Sequence, residues 1–269
     1  MPDREPILET RRLRKQFGAI VAAAELDVTF HRGETVGIIG ANGAGKTTFV
    51  NLVTGYQKPD GGTIRFLGRD ITGQGPRHVT KAGLCRSFQI PQVFGSMSVA
   101  DNLLMAVGIA EIGWLTAGSP LEQPRRRALV EELLATYRME PYAGHRADLL
   151  PQGVRKLLDI AMATARKPAL LMLDEPTSGI SAVEKYGLMD IIMAALRAQK
   201  VTIHFIEHDM EIVGRYADRV LAFAAGDVIA DGPPARVLHD PRVQELVIGR
   251  HEAARGVLNH AAPPAESGS

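Results

Sequence analysis

Residues 40–47 read Gly40-Ala41-Asn42-Gly43-Ala44-Gly45-Lys46-Thr47, the G-x-x-x-x-G-K-S/T spacing of a phosphate-cradling loop. Phosphate is densely anionic. Glycines let backbone N–H groups turn inward and come close to it. Lys46 supplies a full positive charge to β- and γ-phosphates, Thr47 offers a hydroxyl to Mg²⁺, and Thr48 adds a hydroxyl near the α-phosphate. The same string is also what a Gly-rich turn between a strand and a helix looks like, so its flanks decide the reading. A second constellation, Asp174-Glu175, closes an apolar run. Asp174 has the chemistry to hold Mg²⁺ through water. Glu175 can orient and polarise an attacking water as a general base. Two acids at a strand end are, taken alone, more often merely solvated; beside a phosphate loop they read as the hydrolytic half of one site.

The elements needed to position these groups are legible. Val36-Gly37-Ile38-Ile39 is a short buried strand ahead of the loop. Lys46 to Val53 reads as the helix after it, with Gly55 as its stop, and that helix turns its positive dipole end toward the phosphates. Pro59-Asp60-Gly61-Gly62 is a turn and Thr63 to Phe66 a strand. Val154, Leu157, Leu158, Ala161, Met162 and Ala165 share one helical face. Ala169 to Leu173 is apolar at every position, as a central parallel strand covered on both faces must be. Ser181 and Glu184 have capping-box spacing before the next helix, and Val201 to Ile206 is again strand-like. The alternation predicts an α/β domain with a parallel sheet, whose ligands sit beyond the carboxyl ends of the strands. Loop and carboxylates should therefore meet.

Bulk properties bound the rest. A chain of 269 residues suits one large domain or two small ones, and the 45% hydrophobic fraction is ordinary for a globular protein. The net charge of +1 gives no stripe for nucleic acid. The single cysteine, Cys85, excludes an internal disulfide. The mixed-charge N-terminus is unlike a secretory signal, and no run reaches the ~18 apolar residues of a membrane span. Residues 251–269, rich in Ala, Pro, Gly and Ser, read as a flexible tail.

The phosphate loop, then Gln89, then Leu173-Asp174-Glu175-Pro176-Thr177, then Glu207-His208-Asp209, in that order, resembles the ABC-transporter ATPases. Arg86-Ser87-Phe88-Gln89 and Ile206 to Met210 are most similar to the ATPases of branched-chain amino acid importers. The resemblance spans about Ile7 to Gly249. It implies a P-loop NTPase with a RecA-like parallel core, an N-terminal antiparallel β portion and a helical subdomain. A single nucleotide-binding domain would cover 1–250, with 7–89 and 167–250 as its catalytic lobe and 90–166 as the helical one. It implies ATP and Mg²⁺ as ligands, with Phe17 stacked on adenine, Gln89 reaching Mg²⁺ and the water, and His208 on the γ-phosphate. Implied partners are a second ATPase subunit, integral membrane permease subunits and, indirectly, an extracytoplasmic solute-binding protein. The place implied is the cytoplasmic face of the plasma (inner) membrane. Val93, Phe94 and Met97 are candidates for a groove that receives a permease helix, or equally for ordinary core contacts.

Two stretches depart from the family pattern. Its signature, Leu-Ser-Gly-Gly-Gln, grips the γ-phosphate held by the other subunit. Here the match is Leu150-Pro151-Gln152-Gly153-Val154. Pro151 has neither hydroxyl nor N–H, though proline suits a helix's first turn; Gly153 keeps its amide. After Pro176 the chain has Ser178-Gly179-Ile180-Ser181, without the acid or asparagine usual in the family. Alternatives stay open: an ATP-binding regulatory subunit with little turnover, suggested by Pro151; a soluble non-transport ABC ATPase, disfavoured by the length; a P-loop kinase, for which nothing marks an acceptor pocket.

Overall fold

The computed structural model describes residues 5–111 and 121–249. In chain order its elements are β1 (Pro6–Phe17), β2 (Ile20–His31), β3 (Thr35–Gly40), α1 (Lys46–Val53), β4 (Gly61–Phe66), β5 (Arg69–Asp70), α2 (Pro76–Ala82), β6 (Leu84–Arg86) and α3 (Val99–Glu111). There follow α4 (Pro124–Thr136), α5 (Gln152–Thr164), β7 (Leu170–Asp174), α6 (Glu184–Ala198), β8 (Thr202–Ile206), α7 (Met210–Tyr216), β9 (Arg219–Ala224) and β10 (Asp227–Gly232). The tail expected at 251–269 lies outside the described residues. Among the described residues no helix is long and apolar enough to cross a membrane.

Every residue of β3 and β8 is buried, which only a strand covered on both faces can accommodate. They lie in a six-stranded sheet of order β10-β9-β3-β8-β7-β6, parallel from β9 to β6 with β10 antiparallel at one edge. A second, antiparallel sheet runs β2-β1-β4-β5. Because side chains alternate along a strand, β7 feeds two cores. Leu171 and Leu173 pack with Leu103, Leu133, Leu157 and Ile192 of the helices. Leu170 and Met172 face Phe49 of α1 and Leu8, Phe30 and Phe66 of the antiparallel sheet.

Beyond one-residue shifts at the ends of β3, β7 and β8, three local features depart from the sequence reading. Gly61 and Gly62 belong to β4, because they pair with a bulged β1 in which Arg14 lies opposite Gly61. Helix α6 starts at Glu184, one turn after Ser181. The Ser181 hydroxyl accepts from the Glu184 N–H at 3.3 Å and donates to its carboxylate at 2.6 Å, so the cap closes a turn before the helix. Pro151 stands just before α5, and the helix begins at Gln152.

His204 of β8 is 1% exposed, its ring 4.1 Å from that of Phe30. Neither ring nitrogen has a hydrogen-bond partner. Burial, with the Arg219 charge adding, pushes its pKa down to about 3. The unfolded chain thus takes up a proton on falling through about pH 6.5 that the folded chain refuses until about pH 3, so this residue lowers stability as pH falls across that window. His204→Leu is expected to gain about 2 kcal/mol over wild type between about pH 7.5 and pH 5. Urea unfolding at both values measures this, and an unchanged gap would refute it.

Candidate functional site

The phosphate loop joins β3 to α1; α1 has the predicted bounds, and β3 runs one residue past the predicted Val36–Ile39 at each end. Gly45 has φ +103°, and a Cβ there would sit 2.4 Å from the Ala22 carbonyl oxygen, so the loop lies against the start of β2 as only glycine allows. The Gly226 N–H donates to Ala44 O at 2.9 Å, tying the β9–β10 turn to the same loop. Lys46 folds back over the loop, its Nζ donating to Gly40 O at 2.6 Å and Ala41 O at 3.1 Å. Burial pulls its pKa below the usual ammonium range, opposed by the nearby charges of Glu175 and then Asp174. Thr47 is exposed and Thr48 half-buried in the first turn of α1. Phe17 ends β1 at the β1–β2 hairpin, 44% exposed with Ile20 and Val21 beside it. Ala22, against which Gly45 packs, lies two residues into β2 across the same hairpin.

Asp174 and Glu175 emerge at the carboxyl end of β7. Asp174 stands opposite Ile206 of β8, which stands opposite Ile38 of β3. One layer of the sheet therefore presents loop and carboxylates on the same edge. The Glu175 carboxylate is held at both oxygens, by Gln89 Nε2 at 2.8 Å and by His208 Nε2 at 2.9 Å. A carboxylate has about four lone-pair directions, so two bonds orient it and leave acceptor capacity for a water. Glu175 itself has φ +47°, a left-handed conformation costly for a residue with a Cβ. Glu207, 3% exposed, accepts from Thr177 N at 2.8 Å and Thr177 Oγ1 at 2.7 Å, fixing the loop after Glu175. Asp209 caps α7 by accepting from Glu211 N at 3.0 Å and Ile212 N at 3.3 Å, which sets where His208 leaves β8.

Two contacts, those of Arg86 and Lys156, escape a reading by motif. Arg86 Nη2 donates to Asp174 Oδ2 at 2.5 Å and Nη1 to Asn51 Oδ1 at 2.6 Å. Lys156 Nζ donates to the Glu175 backbone carbonyl at 2.7 Å. Gly153 lies in the first turn of α5, where a Cβ would meet Ile180 at 3.9 Å. Phe94, 46% exposed, lines a cavity of about 320 Å³ with Tyr56, Arg86, Phe88, Asp159 and Arg166. Val93, by contrast, packs on the helical core, and Met97 is half-buried and donates its N–H to Phe94 O.

These groups fit a nucleoside triphosphate with magnesium. Inward-turning glycines and a buried ammonium suit the phosphates. Thr47, Gln89 and Asp174 offer oxygen donors only, the set magnesium takes.

The ABC transporter family profile matches residues 23–178. A probable branched-chain amino acid transport ATP-binding protein, LivG, of Archaeoglobus fulgidus is 33% identical over 92% of this chain and 97% of its own length. The high-affinity branched-chain amino acid transport ATP-binding protein LivG of Salmonella typhimurium is 33% identical over 91% and 98%. Among solved structures, an ATP-binding cassette of an ABC transporter in its ADP conformation superposes with TM-score 0.77 at 30% identity, over 90% of this chain and 98% of that one. A component of an ABC transporter complex from Clostridium perfringens superposes with TM-score 0.76 at 26% identity, over 95% and 99%.

Proposed function

Since the chain belongs to the ABC transporter family of ATPases, we propose that it is the ATP-hydrolysing subunit of an importer for branched-chain or related amino acids. The observation that carries the hydrolytic reading is Glu175. It stands at the end of the Asp174 strand, clamped between Gln89 and His208 and electrostatically coupled to Lys46. The solute class rests on the names of the LivG relatives.

In this reading Phe17 stacks on adenine and the amides of residues 40–48 bind the phosphates. Lys46 neutralises charge on the β- and γ-phosphates. Thr47, Gln89 and Asp174 would hold magnesium, which would supply further neutralisation of phosphate charge. Glu175 accepts a proton from the attacking water. The water oxygen bonds the γ-phosphorus as its bond to the β-phosphate oxygen breaks, leaving ADP and phosphate. His208 and Gln89 hold Glu175 and the water in line, so most of the rate comes from position and electrostatics.

The chain pairs head to tail with a second ATPase subunit, giving Gly153 and the start of α5 to the nucleotide of its partner. Pro151 supplies neither hydroxyl nor N–H there, so beside a subunit with a serine the two sites work unequally. Contacts made only with the triphosphate favour the closed pair. Opening moves the helical lobe, 90–166, against 7–89 and 167–250, and through the cavity beside Phe94 moves permease subunits at the cytoplasmic face of the inner membrane. An extracytoplasmic solute-binding protein delivers the cargo to those subunits.

Steady-state ATPase assays of the chain, alone and assembled with its permease, test this. Turnover that rises at least about tenfold in the assembly is expected of a transport motor. Tight ATP binding without turnover in either setting would overturn it in favour of a regulatory subunit, the reading Pro151 alone would support.

A further inference from the structure

Helix α5 opens at the signature stretch and carries a polar stripe along an otherwise core-facing surface. Gln152, Lys156 and Asp159 stand at i, i+4 and i+7, one above the other on a helix. Gln152 and Lys156 grip the loop that follows β7, and Asp159 grips the segment that follows Gln89. Gln152 Nε2 donates to Ser178 O at 3.3 Å, Lys156 Nζ to Glu175 O at 2.7 Å, and Asp159 Oδ1 accepts from Gln92 N at 2.8 Å. The stripe thus touches the segment after Glu175, Glu175 itself and the segment after Gln89.

Lys156 is the central member. It is 3% exposed, and burying an ammonium is costly unless it is bonded and charge-compensated. Compensation comes from Glu207, Glu175, Asp159 and Asp174, in that order. A position that needed only packing would be filled by Leu or Met at no such cost. The bond Lys156 makes is to the one non-glycine residue of the site whose backbone is left-handed, Glu175 with φ +47°. Two further backbone bonds hold that residue, Glu175 N to Ile206 O at 3.1 Å and Ser178 N to Glu175 O at 3.1 Å, and both come from the sheet lobe. Lys156 is the tie from the helical side.

We propose that Lys156 is a positioning residue for Glu175. Through it the helix that begins at the signature sets the orientation of the base in its own site. The inference rests on the hydrolytic reading above. When α5 shifts as its first turn meets the partner's nucleotide, the ammonium carries that shift to the Glu175 backbone. The carboxylate then moves between Gln89 and His208. Misplacement of a reacting group by about 1 Å costs about a hundredfold in rate, so a small helix motion suffices as a control.

The test uses the full chain with its partners. Lys156→Met, Lys156→Gln and Lys156→Arg are compared with wild type for kcat, KM, thermal unfolding and equilibrium affinity for a fluorescent ATP analogue. Lys156→Met is expected to lower kcat by about tenfold to a hundredfold, with KM and nucleotide affinity within about threefold. Lys156→Arg, which keeps a charged donor, is expected to return kcat to within about threefold of wild type. Should Lys156→Met not fold, Lys156→Gln decides. It is polar but one atom too short to reach the Glu175 carbonyl, and the same kcat loss is expected. Wild-type kcat in these variants overturns the assignment, as does a kcat loss matched by lost affinity and not relieved by Arg. A wild-type chain that binds no nucleotide or never turns it over refutes the proposed function and takes the positioning role with it. Wild-type turnover with indifferent variants refutes the positioning role alone.

Discussion

Glu175→Gln is expected to cut steady-state ATP hydrolysis by about 10²- to 10⁴-fold while ATP affinity stays within about threefold. The substitution keeps shape and removes charge and basicity. In wild type the carboxylate takes Gln89 Nε2 on one oxygen and His208 Nε2 on the other. An amide presents one acceptor and one donor edge. The acceptor can still face Gln89, and the histidine ring can offer an unprotonated Nε2 to the donor by changing tautomer. Geometry therefore survives, as does the backbone turn held by Lys156. What is lost is the group able to take a proton from water. Binding is spared because the phosphate loop and Lys46 are untouched. Equilibrium binding of a fluorescent ATP analogue, set beside phosphate release, separates the two effects. Hydrolysis within about fivefold of wild type would remove Glu175 from the role of base. Lost affinity would place it in binding instead.

What could be read from the sequence, and what could not, follows the distance over which each interaction acts. The phosphate loop is contiguous, and the strand before it and helix after it are each set by local apolar pattern, so Lys46, Thr47 and their frame were legible. So were Asp174 and Glu175, because an unbroken apolar strand must end at the ligand edge of a parallel sheet. Gln89 and His208 were legible only through motif order. Neither has a local pattern that marks it, and both reach Glu175 from loops 86 and 33 residues away in sequence. Arg86 enters the sequence reading only within the segment ending at Gln89, with no role of its own, and Lys156 does not enter it. Arg86 meets Asp174 because β6 lies beside β7, a neighbourhood that strand order creates and composition does not. Lys156 left a fainter trace: with Asp159 it interrupts the buried face of α5, and two charges on a core-facing stripe ask for partners. The β9–β10 hairpin was missed although its Ala225-Gly226 turn is a plain local signal, with both residues at positive φ. The Ser181–Glu184 bonds that the spacing predicts are present, but they close a turn just ahead of α6, since a capping box also closes an isolated turn.

Lys46→Ala is expected to weaken nucleotide binding by about tenfold to a hundredfold, the loss of one charge-assisted hydrogen bond to phosphate at about 1.5–3 kcal/mol. A further fall in kcat of about 10²-fold is expected, because the same ammonium neutralises charge that grows in the transition state. The side chain is 6% exposed, and its charge is already drawn inward by the Gly40 and Ala41 carbonyls and by Glu175 and Asp174. No other lysine or arginine of residues 40–48 can take its place. Truncation leaves the two carbonyls without their ammonium, so the loop itself could loosen. Thermal unfolding without nucleotide measures that cost apart from the binding loss. Lys46→Arg serves as the discriminating variant. It keeps the charge but puts a wide planar fork where a compact ammonium sits against two carbonyls. If charge alone mattered, Lys46→Arg would restore binding and turnover. If the compact fit also matters, as the 2.6 Å contact to Gly40 implies, binding recovers in part and kcat does not. Wild-type affinity in Lys46→Ala would mean that the loop holds phosphate through its backbone amides alone. The buried ammonium would then be a structural clasp on Gly40 and Ala41.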